Sequence, residues 1–346
     1  MKFNKTKKMV IASVVMSLVA AATVMADDEV VAPVIVDQPK SVNVKAGARV
    51  TFSVNAVETT DSREDFTVNL LSGTLDMIYC APGSFMMGSP EDELGRFDQE
   101  DLHKVTLTQG FWLGKYEVTQ AQYKAVMGGE YPKNFKVTDG DGEPYPYVGE
   151  DKPIVYITWR EAQDFCAKLT EQQQAAGALS KFYKYTLPTE AQWEYACRAG
   201  TQTPLYSGAE LTSTGTCPNV DALAWYGGNE RFLHPVGLKE ANCWGFYDML
   251  GNAEEMCLDY WIDHLGIGAA TDPYYVAGQN NIACRGGCFD SWKGYSYEYA
   301  RTCRSAFRRS GGASSNYGNT GFRVALVPNE YKVRKPTVPV LPEPEE

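Results

Sequence analysis

The spacing of apolar and polar residues predicts a few short helices with well-marked ends. Three segments begin with a threonine followed three residues later by glutamine or glutamate, at Thr119-Gln122, Thr158-Glu161 and Thr189-Gln192. This spacing is a capping box, in which the two side chains bond the free amides of the first helical turn. Glycines that end helices follow each segment, at Gly128, Gly177 and Gly200. We therefore expect three helices between residues 119 and 200.

Other parts of the chain alternate apolar and polar residues over short distances, as strands do. Such runs occur at 105–107, 111–113 and 322–326. In the second predicted helix an apolar stripe recurs at helical spacing, at Ala162, Phe165, Cys166 and Leu169. With 31 glycines in the chain, the pattern favours an α+β fold that is loop-rich, with small sheets and a few short helices.

The N-terminus has the composition of a secretory signal peptide. Four lysines precede the apolar run 9–23, and Val24-Met25-Ala26 offers a site for cleavage before Asp27. The alternative is a membrane anchor, but the run of about 15 apolar residues is shorter than the ~20 that a spanning helix needs. We predict a signal peptide at 1–26 and a secreted, periplasmic or cell-surface protein without a membrane span.

Three further regions follow the predicted signal peptide. Residues 27–72 form a β-rich lead-in that partly resembles an immunoglobulin-like module, although a complete one needs roughly 100 residues. Residues 73–328 are predicted to form one long domain. The remainder, 329–346, is a tail rich in proline and glutamate, which favours an extended chain.

Charge and cysteine content narrow the possible functions. The net charge of -11 argues against a nucleic-acid partner, since such proteins concentrate positive charge. The nine cysteines of an exported chain are expected to form disulfides, with at least one left over. A zinc site at Cys284-x-x-x-Cys288 is the weaker alternative, because the chain has only three histidines.

Eight collinear blocks of the predicted domain form a recognisable pattern: Gly83–Ser89, His103–Tyr123, Pro153–Trp159, Leu187–Arg198, Gly245–Glu255, Arg285–Gly287, Arg304–Arg308 and Gly321–Arg323. Together they resemble the formylglycine-generating enzyme family, also called sulfatase-modifying factors. This resemblance implies a variant of the C-type lectin fold, and it extends over nearly the whole 73–328 domain.

The family's oxidase activity is not implied by this resemblance. The family uses two cysteines, five residues apart, that bind copper(I) and convert a substrate cysteine to formylglycine. These positions match Ser291 and Ser296 in one register, or Tyr295 and Ala300 in the other. Neither register supplies a soft thiolate for Cu(I). We therefore expect no copper and no catalytic residues.

The resemblance also implies one disulfide. Cys197 and Cys303 match family half-cystines, so a Cys197–Cys303 bond is expected. Cys166 matches another half-cystine, but its usual partner position is Val324. Cys166 is therefore buried and free, or paired differently.

Calcium is the metal that the resemblance favours. The family's site near its Gly-Asn motif matches Asp248, Gly251, Ala253 and Glu255. Oxygen ligands gathered from one tight turn suit Ca²⁺. The alternative is a plain Gly251-Asn252 turn beside a solvated acid.

Two functional hypotheses remain. In the first, the protein is a catalytically silent binding or scaffold module, with a protein or glycan ligand at a Tyr/Ser-rich surface that includes Trp292, Tyr295, Tyr297 and Tyr299. Tyrosine and tryptophan give large amphipathic contacts at low entropic cost, although such aromatics also fill loop-rich cores. In the second, it is a formylglycine-generating oxidase, or its accessory, acting on a sulfatase.

Overall fold

The computed structural model describes residues 64–276, 280–290 and 298–329. The predicted signal peptide, residues 27–63 of the lead-in and the tail after 329 lie outside the described residues. Within the described residues, no helix has both the length and the apolar character needed to cross a membrane.

The largest sheet has five strands, and every neighbouring pair in it is antiparallel. In spatial order the strands are β1 (Phe66–Asn69), β2 (Thr74–Cys80), β5 (Phe111–Gly114), β12 (Ala325–Pro328) and β6 (Tyr183–Thr186). Strand β1 lies in the stretch predicted as a lead-in, yet it pairs with β2 in register Val68 to Leu75. This sheet joins the two ends of the described chain.

Two smaller sheets carry the remaining strands. One contains β10 (Arg308–Gly312), β9 (Asn281–Arg285), β7 (Glu254–Tyr260) and β11 (Thr320–Gly321), in that order. The other contains β3 (Gly83–Met87), β4 (His103–Leu107) and β8 (Ala270–Thr271). The short end strands β11 and β8 pair in parallel with β7 and β4. Small mixed sheets joined by long connections confirm the predicted α+β, loop-rich class.

The three predicted helices are α1 (Gln120–Met127), α2 (Trp159–Ala175) and α3 (Glu190–Arg198), and all three capping boxes are formed. A fourth helix, α4 (Pro218–Asp221), has a single turn and no side-chain cap. Each capping threonine stabilises its helix by about 1 kcal/mol. Helix α1 ends at Gly128, whose φ of 83° is one that glycine adopts without strain.

The apolar stripe of α2 is buried as predicted, and the Phe165 ring packs edge-on against Phe322 at 5.4 Å. Only the last part of the run 322–326 becomes a strand; before it, Val324 bonds the last residue of β5 and Phe322 bonds the irregular segment after β5. The Phe322 carbonyl accepts from Val118 N, and the Val324 carbonyl accepts from Gly114 N. These two residues belong to the core without belonging to a sheet.

Candidate functional site

The predicted calcium positions lie on the turn that leads into β7. Gly251 has a φ of 77°, and a Cβ built on it would lie 2.3 Å from the Trp225 carbonyl oxygen. Only glycine fits there. The next residue, Asn252, donates its backbone N–H to the same carbonyl at 2.8 Å. The turn is therefore fixed against Trp225, with Asp248 before it and Glu255 after it.

Glu255, predicted as a calcium ligand, is already engaged by other groups. Arg323 donates from Nε to Oε2 and from Nη2 to Oε1, each at 2.6 Å. The Trp193 indole N–H donates to Oε2 at 2.7 Å. All three side chains are buried. A carboxylate held by a bidentate arginine has its charge compensated, so Glu255 does not fit the role of a direct metal ligand.

Asp248 is in a different situation. Its Oδ2 accepts from Gly237 N at 2.7 Å, whereas its Oδ1 is buried with no hydrogen-bond partner in the described part of the chain. Burial raises the pKa of Asp248 to about 6, against the lowering effect of the Gly237 hydrogen bond. A buried, unpartnered oxygen is costly unless something binds it. Asp248 is therefore suited to bind a cation.

Glu117 is a member of this cluster that the sequence analysis missed. Its Oε1 accepts from Ala253 N at 2.8 Å and its Oε2 from the Asn252 side chain at 2.9 Å. Burial, followed by the charges of Asp248 and Glu255, raises its pKa well above the ordinary value. The signal was present, because Glu117 lies in the matched block 103–123.

The cluster has a surplus of negative charge. Three carboxyl groups, of Glu117, Asp248 and Glu255, lie near the Arg323 guanidinium, and the Lys239 ammonium also interacts with Asp248. Such a field favours a cation. However, no three His, Cys, Asp or Glu side chains among the described residues are arranged to hold a metal ion. Asp248 is thus the one predicted side-chain ligand that the arrangement leaves available.

All nine cysteines, each within the described residues, are free thiols in this structure. The expected Cys197–Cys303 bond is not formed in it, and the Cys197 sulfur faces the Ser305 hydroxyl at 3.6 Å. Ser305 lies two residues beyond Cys303. Cys166 is buried and free.

Tyr299 was predicted to face a ligand, and this is wrong. Its side chain is buried in a hydrophobic cluster, with the Arg231 guanidinium 5.1 Å above its ring and also bonded to its hydroxyl. A Cβ on Gly227 would lie 2.4 Å from the Tyr299 ring, which shows how closely the backbone covers it. The other proposed surface residues, Trp292, Tyr295 and Tyr297, lie outside the described residues, as do Ser291 and Ser296. Ala300 is buried.

Buried ion pairs fix the segment that surrounds these positions. Arg304 bonds Glu93 and Glu100, at 2.6 Å and 2.5 Å for the shortest contacts. Arg308 bonds Glu190 at the start of α3. Although burial raises it, the pKa of Glu190 is held below its ordinary value by the guanidinium groups of Arg308 and Arg285. Residues 304–308 are therefore anchored to two distant parts of the chain.

Comparison with known proteins agrees with this architecture. The family described as "Sulfatase-modifying factor enzyme 1-like domain" matches residues 64–327. Formylglycine-generating enzyme from Mus musculus is 24% identical over 322 residues, which cover 76% of this chain and 80% of that protein. Chaperone protein LppX from Paenibacillus barcinonensis is 30% identical over 209 residues, 46% of this chain and 65% of that protein.

Two solved structures have a similar fold. Treponema denticola variable protein 1 has a TM-score of 0.59 and 26% identity, covering 75% of this chain and 98% of that one. PvdO from Pseudomonas aeruginosa has a TM-score of 0.56 and 27% identity, covering 72% of this chain and 94% of that one.

Proposed function

Since the chain belongs to the sulfatase-modifying factor enzyme 1-like family, we propose that it is an exported binding or scaffold module that lacks the oxidase activity of formylglycine-generating enzymes. One observation carries this proposal. The positions that match the oxidase thiols are Ser291 and Ser296, or Tyr295 and Ala300. Hydroxyl and methyl groups cannot bind Cu(I) as thiolates do.

The cysteines nearest to those positions are poor substitutes. Cys288 is buried, and its thiol donates to the Asp290 carbonyl at 2.7 Å. Burial, followed by the Glu254 charge, raises the pKa of Cys288 well above its ordinary value. Copper(I) and nucleophilic chemistry both require the thiolate. These properties favour a structural role for Cys288.

The ligand-binding surface is proposed on the loops between residues 288 and 318. Within its described part, Tyr317 is 39% exposed, and the Arg309 guanidinium lies 5.7 Å from its ring. The Tyr317 carbonyl accepts from Tyr156 N at 3.0 Å, which ties this loop to the segment before α2. An exposed tyrosine on an anchored loop suits recognition of a protein or a glycan. Trp292, Tyr295 and Tyr297 remain proposed members of the surface, whereas Tyr299 is removed from it.

Calcium is proposed to stabilise the module rather than to take part in a reaction. Asp248 Oδ1 is the side-chain ligand, whereas Glu255 stays paired with Arg323 and does not bind the ion directly. When bound, the ion would supply the positive charge that the cluster lacks. Export through residues 1–26 is part of the same proposal, since extracellular calcium is abundant enough for weak sites.

The oxidase alternative has one observation in its favour, the proximity of Cys288 and Cys303. A Cβ on Gly287 would lie 2.6 Å from the Thr302 carbonyl oxygen, so the two cysteines follow residues in direct contact. An oxidase with relocated cysteines is therefore the alternative that an assay must test.

The experiment incubates copper-loaded protein with a peptide containing Cys-x-Pro-x-Arg and follows the mass change of the peptide cysteine. We expect no formylglycine from the wild type or from Cys288→Ser with Cys303→Ser. Cys243→Ser, which changes an exposed thiol, is the matched control. Turnover that disappears in the double variant and persists in the control would establish the oxidase alternative and overturn the proposal.

A further inference from the structure

The segment before α4 lies beside the short 3-10 helix Ala300–Thr302. Two backbone hydrogen bonds, of 2.8 and 2.9 Å, join residues 214–215 to residues 300–301. Each segment continues into a cysteine. Cys217 is the N-cap residue of α4, and Cys303 directly follows the 3-10 helix. The fold thus brings together two cysteines that are far apart in the sequence.

Both sulfurs belong to the same buried environment. Cys217 and Cys303 are each 0% exposed and lie in one hydrophobic cluster. The Tyr226 hydroxyl accepts from Cys217 N at 2.9 Å, and the same hydroxyl is within electrostatic range of Cys303. Burial, with a further contribution from the nearby Cys217 sulfur, raises the pKa of Cys303 to about 12. The two thiols therefore interact electrostatically and share Tyr226 as a neighbour.

Cys217 has the surroundings of a nucleophilic sulfur. Its Sγ lies 3.5 Å from Thr212 N and 3.4 Å from Thr212 Oγ1. Although burial raises it, these bonds and backbone bonds from Ser213 and Asn219 lower the pKa of Cys217 below the ordinary value. Hydrogen-bond donors that converge on sulfur stabilise the thiolate, the form that attacks a disulfide.

The competing partners of Cys303 are less suited. The Cys197 sulfur faces the Ser305 hydroxyl. Cys288 is within electrostatic range of Cys303, but its thiol is committed to the Asp290 carbonyl and its pKa is raised by burial. Proximity and a stabilised thiolate occur together at Cys217.

We propose that Cys217 and Cys303 form a disulfide bond when the protein folds in the presence of a disulfide oxidant. With oxidised glutathione, the Cys217 thiolate attacks one glutathione sulfur and releases the first glutathione thiol. Cys303 then attacks the Cys217 sulfur of the mixed disulfide and releases the second. Two protein thiols are oxidised and one glutathione disulfide is reduced, and the two protons pass to the departing thiolates.

Burial decides when this reaction occurs. Because neither sulfur is exposed, the oxidant reaches them before the 212–217 segment closes, or during local opening. The full chain is therefore unfolded and reduced, refolded with oxidised and reduced glutathione, alkylated and mapped by mass spectrometry. We expect a linked Cys217–Cys303 peptide and an alkylated Cys197. The bond closes a long loop, so the oxidised protein should melt about 5 °C or more above the reduced one.

Serine variants of the same chain complete the test. Cys217→Ser and Cys303→Ser should each lose the linked peptide and the gain in melting temperature, whereas Cys197→Ser should keep both. The peptide map of the wild-type protein tests the proposed disulfide even if a variant fails to fold. Recovery of Cys303 as a free thiol, or linked to Cys197 or Cys288, would overturn the proposal.

Discussion

Asp259 should make the stability of this protein fall as the pH rises towards neutrality. The side chain is buried on β7, where Oδ2 accepts from Glu190 N at 2.8 Å and Oδ1 accepts from Tyr275 N at 3.0 Å. Burial, followed by the charge of Glu190, raises the pKa of Asp259 to about 7 despite these bonds. The folded protein therefore retains a proton that the unfolded chain has lost.

The magnitude follows from the difference between the two pKa values. An aspartate in the unfolded chain titrates near pH 3.9, about 3 units lower, and each unit corresponds to about 1.4 kcal/mol. Between about pH 4 and pH 7 the folded state binds more protons, so the free energy of unfolding decreases as the pH rises. The contribution of Asp259 to this decrease is at most about 4 kcal/mol.

The variant Asp259→Asn isolates this contribution. It replaces one accepting oxygen by an amide, which should cost about 1–3 kcal/mol at every pH because a backbone N–H loses its partner. At pH 4.5 the wild type should therefore be the more stable protein. By pH 8 the charged Asp259 of the wild type is penalised, so the difference should shrink or reverse.

Urea unfolding followed by tryptophan fluorescence at pH 4.5, 6 and 8 measures these differences. Reductant and EDTA should be present, so that neither disulfides nor metal ions contribute. Asp98→Asn, which removes a charge from an exposed side chain, is the control for net charge. A difference between wild type and Asp259→Asn that stays constant from pH 4.5 to 8 would refute the reasoning.

Two further predictions concern the proposed surface and the proposed ion. Tyr299→Ala should destabilise the fold by about 3–5 kcal/mol, as for other buried aromatics, whereas Tyr317→Ala should change the melting temperature little; equal losses in thermal unfolding would mean that Tyr317 is also core. Calcium added after EDTA treatment should raise the melting temperature of the wild type, because an ion that binds only the folded state stabilises it. Asp248→Asn should abolish the gain while leaving the Glu255–Arg323 pair intact, and a gain that persists in this variant would locate the ion elsewhere.

The local parts of the fold could be predicted from the sequence because their causes are local. A capping box satisfies backbone amides within three residues, so Thr119, Thr158 and Thr189 marked their helices correctly. The failures depended on distant partners. Tyr299 is buried by Arg231, which is far away in the sequence, and composition does not distinguish such a tyrosine from an exposed one. Glu117 was missed for the same reason, because the groups that bond it, Asn252 and Ala253, are distant in the sequence.

The charged residues of the matched blocks explain why the family resemblance predicted the fold. Six of them form buried ion pairs between blocks: Glu190 and Glu194 with Arg285, Glu190 with Arg308, and Glu255 with Arg323. Removing one partner of a buried pair costs about 3–5 kcal/mol, because the other charge is left uncompensated. These pairs connect α3, β7, β9 and the segments near residues 308 and 323. The matched residues thus hold the loop-rich scaffold together.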